Sequence, residues 1–135
     1  MVEEALRLDA PAATTMFLYA ERDVTIAGAT IQTGEPVLIY TAAIGRDDTA
    51  FADPDAFLPG RPGGHQHRAF GHGPHHCLGA PLARLEAQIA LPALYHRFEI
   101  TPAETLGSVE RVESLSSNAP ARLPVHLSPR DASHT

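Results

Sequence analysis

The alternation of apolar and charged positions at the start of the chain predicts a short helix over residues 2–8. The charged side chains of Glu3, Glu4 and Arg7 fall around one side of this helix, and the apolar side chains fall on the other. The helix has no N-cap, and Asp9 ends it after about two turns. Because so short a helix is not expected to stand alone, we expect the chain to be the tail of a longer fold.

β-Branched residues predict short strands over residues 24–26, 30–32 and 37–40. The first two flank the sequence Ala-Gly-Ala at 27–29, which is typical of a tight hairpin turn, and glycine and proline precede the third. These segments predict a small antiparallel sheet.

The next segment, residues 45–76, has no periodic pattern, so no regular element is predicted there; long irregular loops are usually functional or disordered. Apolar positions spaced by four, three and four residues then predict a helix from Leu78 to about Phe98. Pro92 lies inside this helix, where proline costs about 3 kcal/mol, which predicts a kink or irregular turn between Gln88 and Pro92.

The C-terminal part of the chain begins with a polar segment at 103–120. Alternation over Leu123 to Leu127 predicts a final edge strand. The sequence has no internal repeat and no second core. We therefore expect residues 1–135 to be one partial domain of mixed α and β structure.

Composition narrows the class of protein. The 135 residues are 44% hydrophobic and 19% charged, which is typical of a globular chain. Ten basic and sixteen acidic residues give a net charge of −6, which argues against nucleic-acid binding. No apolar run approaches the roughly 20 residues of a membrane span, and the acidic start does not resemble a signal peptide. With only one cysteine, a cytoplasmic location is expected.

That cysteine, Cys77, follows a glycine-rich loop and precedes the predicted helix. Unpaired N–H groups and the helix dipole favour a thiolate at such a position, and the thiolate is the form that binds metal. Gly71, Gly73 and Gly79 carry no side chains, so a flat, bulky group could approach the backbone. The segment therefore predicts a thiolate presented to a large metal cofactor.

Two other interpretations of this segment remain open. A single cysteine beside an apolar helix is most often an inert buried residue. Alternatively, His72, His75 and His76 with Cys77 are zinc-ligand types, although structural zinc usually takes ligand pairs from two separated segments. Two further histidines, at 65 and 67, would be such a second pair.

Residues 70–79 follow the spacing F-x-x-G-x-x-x-C-x-G, which resembles the haem-binding loop of the cytochrome P-450 family. The following residues 80–86 (A-P-L-A-R-x-E) resemble its bacterial members. Glu4 and Arg7 are similar to the family's E-x-x-R helix, and residues 51–57 are similar to its meander. The resemblance covers nearly the whole chain as the C-terminal portion of that fold.

The resemblance implies a fold class and a cofactor. The fold would be the C-terminal part of the mainly-α cytochrome P-450 fold. Its parts would be the end of the E-x-x-R helix, a small antiparallel sheet, the meander, the Cys loop, the proximal helix and a C-terminal strand. The cofactor would be heme b, which is iron protoporphyrin IX.

The resemblance also implies roles for individual residues. Cys77 would be the proximal thiolate ligand of the haem iron, Phe70 would shield the sulfur, and His75 would contact a haem propionate. Glu4 and Arg7 would form a buried structural brace. The residues expected to contact haem are Phe70, Gly71, Gly73, His75, Cys77, Leu78 and Gly79. His72 and His76 are expected to be solvated loop histidines.

Two positions depart from the family pattern, and one helix is missing. Leu18 stands where the family carries an arginine that holds a propionate, which should weaken haem retention by roughly 1–3 kcal/mol. Ala56 stands where the meander usually has the third member of the Glu–Arg–Arg brace, and Arg61 is the candidate to replace it. The family's distal helix has no counterpart, so no catalytic acid or base is predicted.

The resulting functional hypothesis is the haem-binding portion of a haem-thiolate monooxygenase. The complete enzyme would take electrons from a ferredoxin- or flavin-type donor and hydroxylate an apolar substrate. Three alternatives are a truncated non-catalytic fragment, one half of a pair with a separate N-terminal chain, and a small His/Cys zinc-binding module.

Overall fold

A computed structural model describes residues 1–105 and 109–130 of the chain. Part of the predicted polar segment, 106–108, and the last five residues of the predicted domain lie outside the described residues. The helices are α1 (Val2–Leu8), α2 (Thr41–Ile44) and α3 (Ala80–Arg97). The strands are β1 (Leu18–Tyr19), β2 (Val24–Ile26), β3 (Ala29–Ile31), β4 (Pro36–Val37), β5 (Phe98–Pro102) and β6 (Val125–Pro129).

In the described residues, the six strands pair as three separate two-stranded antiparallel sheets, β1 with β4, β2 with β3, and β5 with β6. The predicted hairpin between β2 and β3 is present. Its two turn residues, Ala27 and Gly28, have φ angles of 49° and 84°. Two successive positive φ angles are typical of the type I′ turn, which matches the twist of the flanking strands.

The last sheet was only half predicted. The predicted final strand, Leu123 to Leu127, is present as β6, but it is shifted by two residues to Val125–Pro129. Its partner, β5, begins directly after α3 and was not predicted as a strand. Phe98 pairs with Pro129 and Pro102 with Val125. The mixed α and β architecture with small antiparallel pairings is confirmed.

Helix α3 contradicts the prediction of an irregular turn before Pro92. The helix runs from Ala80 to Arg97 with Pro92 inside it. Proline removes one N–H donor, normally directed at the carbonyl of Gln88, and the backbone bonds on either side keep the helix continuous. The apolar stripe of this helix is exposed, because Leu82 and Ile89 retain 59% and 63% of their accessible surface.

The loop before α3 is more regular than predicted. Within the segment 45–76, short 3₁₀ turns occur at Gly64–Gln66 and Gly73–His75, so the expectation of no regular element was wrong at these two places. No helix in the described ranges is both long enough and apolar enough to cross a bilayer.

The buried centre of the described structure is largely polar. Only three apolar side chains are buried in the described residues (Ala10, Phe51, Ala80), and Glu4, Arg7, Thr41 and His67 are buried with them. Helix α1 therefore buries its charged side, and Ala5 on the apolar side is exposed. Periodicity cannot predict this, because it assumes that the apolar face of a helix is the buried one.

Candidate functional site

The loop that carries Cys77 is closed by its own backbone. The N–H of Cys77 donates to the carbonyl of Phe70 at 2.9 Å, and the N–H of His76 donates to the carbonyl of Gly73 at 3.1 Å. Gly71 and Gly73 have φ angles of 75° and 71°, a left-handed region that side chains strongly disfavour. The two glycines let the chain turn back on itself just before the cysteine.

The thiol of Cys77 is exposed, as is the side chain of Leu78 after it. The interpretation of Cys77 as an inert buried residue is therefore wrong. A Cβ atom on Gly79 would lie 3.7 Å from Cys77 Sγ, so the backbone passes close to the sulfur. Ala80 begins α3 three residues after the cysteine, which places the sulfur at the positive end of a long helix dipole.

Aromatic and basic side chains surround Phe70, at the other end of the loop. The ring of His67 lies 6.2 Å and the ring of His76 lies 6.4 Å from the Phe70 ring, between centroids. The guanidinium carbon of Arg84 lies 4.7 Å from the same centroid. These contacts fix the ring of Phe70 between the loop and α3.

Glu3 links α1 to this aromatic cluster. Its Oε1 accepts a hydrogen bond from Arg84 Nε at 2.7 Å, and its Oε2 lies 2.9 Å from Nε2 of the buried His67. Hydrogen bonds from Arg84 and then from His67 lower the pKa of Glu3 to about 2. The sequence did not single out Glu3, since its partners lie more than 60 positions away.

The predicted brace between Glu4 and Arg7 is present at the centre of the structure. Arg7 Nε and Nη2 donate to the two carboxylate oxygens of Glu4 at 2.8 Å each. Glu4 also accepts hydrogen bonds from the Leu58 N–H at 2.9 Å and from Arg61 Nε at 3.1 Å. Hydrogen bonds from Arg7, and further ones from Leu58 and Arg61, lower the pKa of Glu4 to about 2.

Arg61 is therefore the third member of the brace, as the sequence suggested. Both arginines also bind meander carbonyls: Arg7 donates to Pro54 at 2.7 Å, and the carbonyl of Ala56 accepts from Arg7 and Arg61 at 2.9 and 3.0 Å. The lack of an arginine side chain at Ala56 does not break the brace, because the backbone carbonyl of Ala56 accepts hydrogen bonds from both arginines. The brace ties α1 to the meander.

A cavity of about 680 Å³ separates the chain around β1 from the Cys loop. It is lined by Ala12, Thr14, Thr15, Met16, Phe17, Leu18, Ile39, Thr41, Ile44, Arg68, Ala69, Phe70, Gly71, His72 and His75. Most of this lining is apolar, and its titratable residues in the described part of the chain, Arg68, His72 and His75, are all bases. A large apolar ligand that carries negative charge matches this lining.

The structure divides the predicted site residues between two surfaces. Phe70, Gly71 and His75 line the cavity. Gly73, Cys77, Leu78 and Gly79 lie on the exposed part of the same loop and are not in the cavity wall. His72 was expected to be a solvated histidine and is exposed, but it also borders the cavity.

Residues 1–122 match the family model for cytochrome P450. The chain belongs to the cytochrome P450 family.

Individual cytochromes P450 are similar along most of this chain. It is 42% identical over 132 residues to a 2-hydroxy-5-methyl-1-naphthoate 7-hydroxylase of Streptomyces carzinostaticus, covering 96% of this chain and 32% of the relative. It is 47% identical over 111 residues to the mycinamicin IV hydroxylase/epoxidase of Micromonospora griseorubida, covering 79% and 27%. The chain thus spans between about a quarter and a third of the length of the curated relatives it matches.

Solved structures give the same result for the fold. A thermophilic cytochrome P450 from Sulfolobus tokodaii superposes with a TM-score of 0.87 at 37% identity, covering 96% of this chain and 34% of that one. A cytochrome P450 from Chondromyces apiculatus superposes with a TM-score of 0.88 at 36% identity, covering 97% and 33%. The predicted fold class, part of the cytochrome P450 fold, is confirmed.

Cytochromes P450 use haem, and the residues of this chain fit that group. The exposed cysteine is of a residue type that can bind haem iron, and the glycines beside it leave room for a flat ring. The adjoining cavity combines apolar walls with Arg68, His72 and His75, which suits a macrocycle with two carboxylates. By contrast, no three metal-binding side chains come together anywhere in 1–105 and 109–130, so the zinc-module alternative lacks a ligand set there.

Proposed function

We propose that this chain forms the proximal haem site of a cytochrome P450 monooxygenase, with Cys77 as the axial thiolate ligand of the iron. The observation that supports this most strongly is the placement of the exposed thiol. It lies on a glycine-closed loop, at the start of α3, and beside a cavity whose titratable lining is entirely basic. Haem held there would supply the activation of molecular oxygen, which electron donation from a thiolate favours.

The residues around the sulfur would keep it reactive and in position. The positive end of the α3 dipole lies beside the sulfur. The ring of Phe70, fixed by Arg84 and two histidines, would exclude water from one side of the sulfur. Gly71, Gly73, Leu78 and Gly79 would let the porphyrin lie flat on the loop.

His75 would bind the other end of the same cofactor. Its side chain borders the basic cavity, and an imidazole N–H can donate to a propionate oxygen. Such a hydrogen bond is stronger when the ring is protonated, because both partners are then charged. Glu4, Arg7 and Arg61 would act only as a structural brace that holds the loop and meander in register.

We propose residues 1–135 to be a single partial domain, and the activity of the whole enzyme to be hydroxylation of an apolar small molecule. Two of the similar proteins are named as hydroxylases, which supports this reaction class. Oxygen activation also needs two electrons from a redox protein of the ferredoxin or flavin type.

The experiment that tests the proposal is a haem titration of the purified chain, followed by the spectrum of the reduced carbon-monoxide complex. We expect a strongly red-shifted Soret band in the wild type. Cys77→Ala should lose that band, and His65→Ala should keep it, because His65 is exposed and does not line the cavity. A spectrum of the imidazole type in the wild type, unchanged by Cys77→Ala, would overturn the proposal.

A further inference from the structure

Leu18 leaves one wall of the cavity without a charge. It lies in β1, paired with Val37, and it lines the cavity where an arginine is expected from the family pattern. A leucine offers no hydrogen bond to a carboxylate. If haem binds here as proposed, one propionate therefore loses a cationic partner from the β1 side.

Arg68 brings a cation to the same cavity. It lies two residues before Phe70, is half-buried, and lines the cavity together with Leu18. Its carbonyl accepts a hydrogen bond from the Gly71 N–H at 2.9 Å, so its backbone is held by the turn that leads into the Cys loop.

The charge of Arg68 is not neutralised within the described part of the chain. Its guanidinium makes no hydrogen bond and no ion pair with residues described there. Arg84, on the neighbouring helix, is by contrast paired with Glu3. Among residues 1–105 and 109–130, no carboxylate lines the cavity, although the chain as a whole has a net charge of −6. An unpaired guanidinium in an acid-free, apolar-walled cavity is a site for an anionic group of a ligand.

We propose that Arg68 binds a haem propionate and takes over the role of the cation that is absent at Leu18. This inference rests on the proposed function, since the anion is a carboxylate of the haem. Guanidinium forms two parallel hydrogen bonds to one carboxylate and stays protonated at all ordinary pH values. Arg68 and His75 would then hold the propionate end of the haem while Cys77 holds the iron.

The test compares two probes, haem and its dimethyl ester, in which both propionates are esterified. Each is titrated into the wild-type chain, Arg68→Leu, the double variant Leu18→Arg/Arg68→Leu, and Arg22→Leu. Arg22 is an exposed arginine outside the cavity and serves as the matched control. Circular dichroism of each variant without haem checks that its fold is retained.

We expect Arg68→Leu to weaken haem binding about tenfold, as the loss of one charged hydrogen-bonded contact predicts. Binding of the dimethyl ester should not change, because the ester has no anion for Arg68 to bind. The double variant should recover most of the lost haem affinity by returning a cation to the β1 side. Arg22→Leu should behave as the wild type with both probes.

Two results would overturn the inference while leaving the proposed function intact. One is equal affinity of wild type and Arg68→Leu for haem, and the other is an equal loss for haem and its ester. In both cases the wild type would still show the thiolate-type carbon-monoxide spectrum. A wild-type chain that binds haem without that spectrum, or does not bind haem, would overturn the proposed function and this inference together.

Discussion

Arg84 lies over the ring of Phe70, with its guanidinium carbon 4.7 Å from the ring centroid, while its Nε donates to Glu3. The side chain of Arg84 thus connects α1, α3 and the Cys loop. The neighbouring carboxylate, Glu4, connects the first helix to Leu58 and Arg61, directly after the meander. Two adjacent glutamates on α1 therefore position both segments that flank the proposed haem site.

Removing the Arg84 contact should loosen the Cys loop. We expect Arg84→Gln to lower the free energy of unfolding by about 1–2 kcal/mol, since a cation–π contact and a partly exposed ion pair are both lost. Arg84→Lys should retain part of the effect because it keeps the charge. Urea denaturation measures the change, and a wild-type midpoint for Arg84→Gln would contradict the role given to Arg84.

Glu4 should be far more important for stability than an exposed glutamate. Glu4→Gln leaves the buried guanidiniums of Arg7 and Arg61 without their carboxylate, and breaking a buried ion pair costs about 3–5 kcal/mol. Glu110→Gln is the matched control, because Glu110 is exposed. The two variants are compared by urea denaturation; equal midpoints would show that the brace contributes no stability.

The pKa values of Glu3 and Glu4, both lowered from 4.5 to about 2, predict acid sensitivity. A carboxylate whose pKa is lowered by folding stabilises the folded state above its unfolded pKa, and that stability is lost as the pH falls through the folded pKa. The chain should therefore lose stability between about pH 4.5 and pH 2.

The double variant Glu3→Gln/Glu4→Gln is the control for that acid transition. It should be less stable than the wild type at neutral pH, and its stability should change much less across the acid range. Thermal unfolding at a series of pH values measures both slopes. Parallel slopes for the two proteins would contradict the assignment of the transition to these carboxylates.

Gly45 should tolerate no side chain. A Cβ atom at this position would overlap the carbonyl oxygen of Arg7, which belongs to the backbone of α1 and cannot rotate away. We expect Gly45→Ala to destabilise the chain by about 1–3 kcal/mol or more. Gly34→Ala, where a Cβ would meet open space but the φ angle is +85°, should cost only about 1 kcal/mol. Thermal unfolding measures the loss of stability in both variants. Equal losses would refute the steric argument.

Local patterns predicted the elements that depend on local chemistry. The bounds of α1 and the turn at Ala27 and Gly28 were readable from the sequence, whereas the buried brace of Glu4 and Arg7 was implied only by the family resemblance. The F-x-x-G-x-x-x-C-x-G spacing located the Cys loop and the family. These features depend on neighbouring residues, so one sequence contains the information.

Contacts between distant residues were not readable in the same way. Glu3 meets Arg84 across 81 positions, and Arg61 reaches Glu4 across 57. Strand β5 was missed because its pairing partner, β6, lies beyond a long polar segment. Periodicity implied that the apolar side of α1 is buried, but the charged side is buried instead. This side can be buried because Arg7 and Arg61 neutralise Glu4. The proposed role of Arg68 could be inferred only from the fold, which places Arg68 in the same cavity as Leu18.

X-ray absorption at the iron edge of the haem-loaded chain tests the central claim most directly, because it identifies the atoms bound to iron. The account predicts one sulfur scatterer in the first coordination shell of the wild type, replaced by a lighter atom in Cys77→Ser. Only nitrogen and oxygen scatterers in the wild type, with no change in Cys77→Ser, would contradict the assignment of Cys77 as the haem ligand.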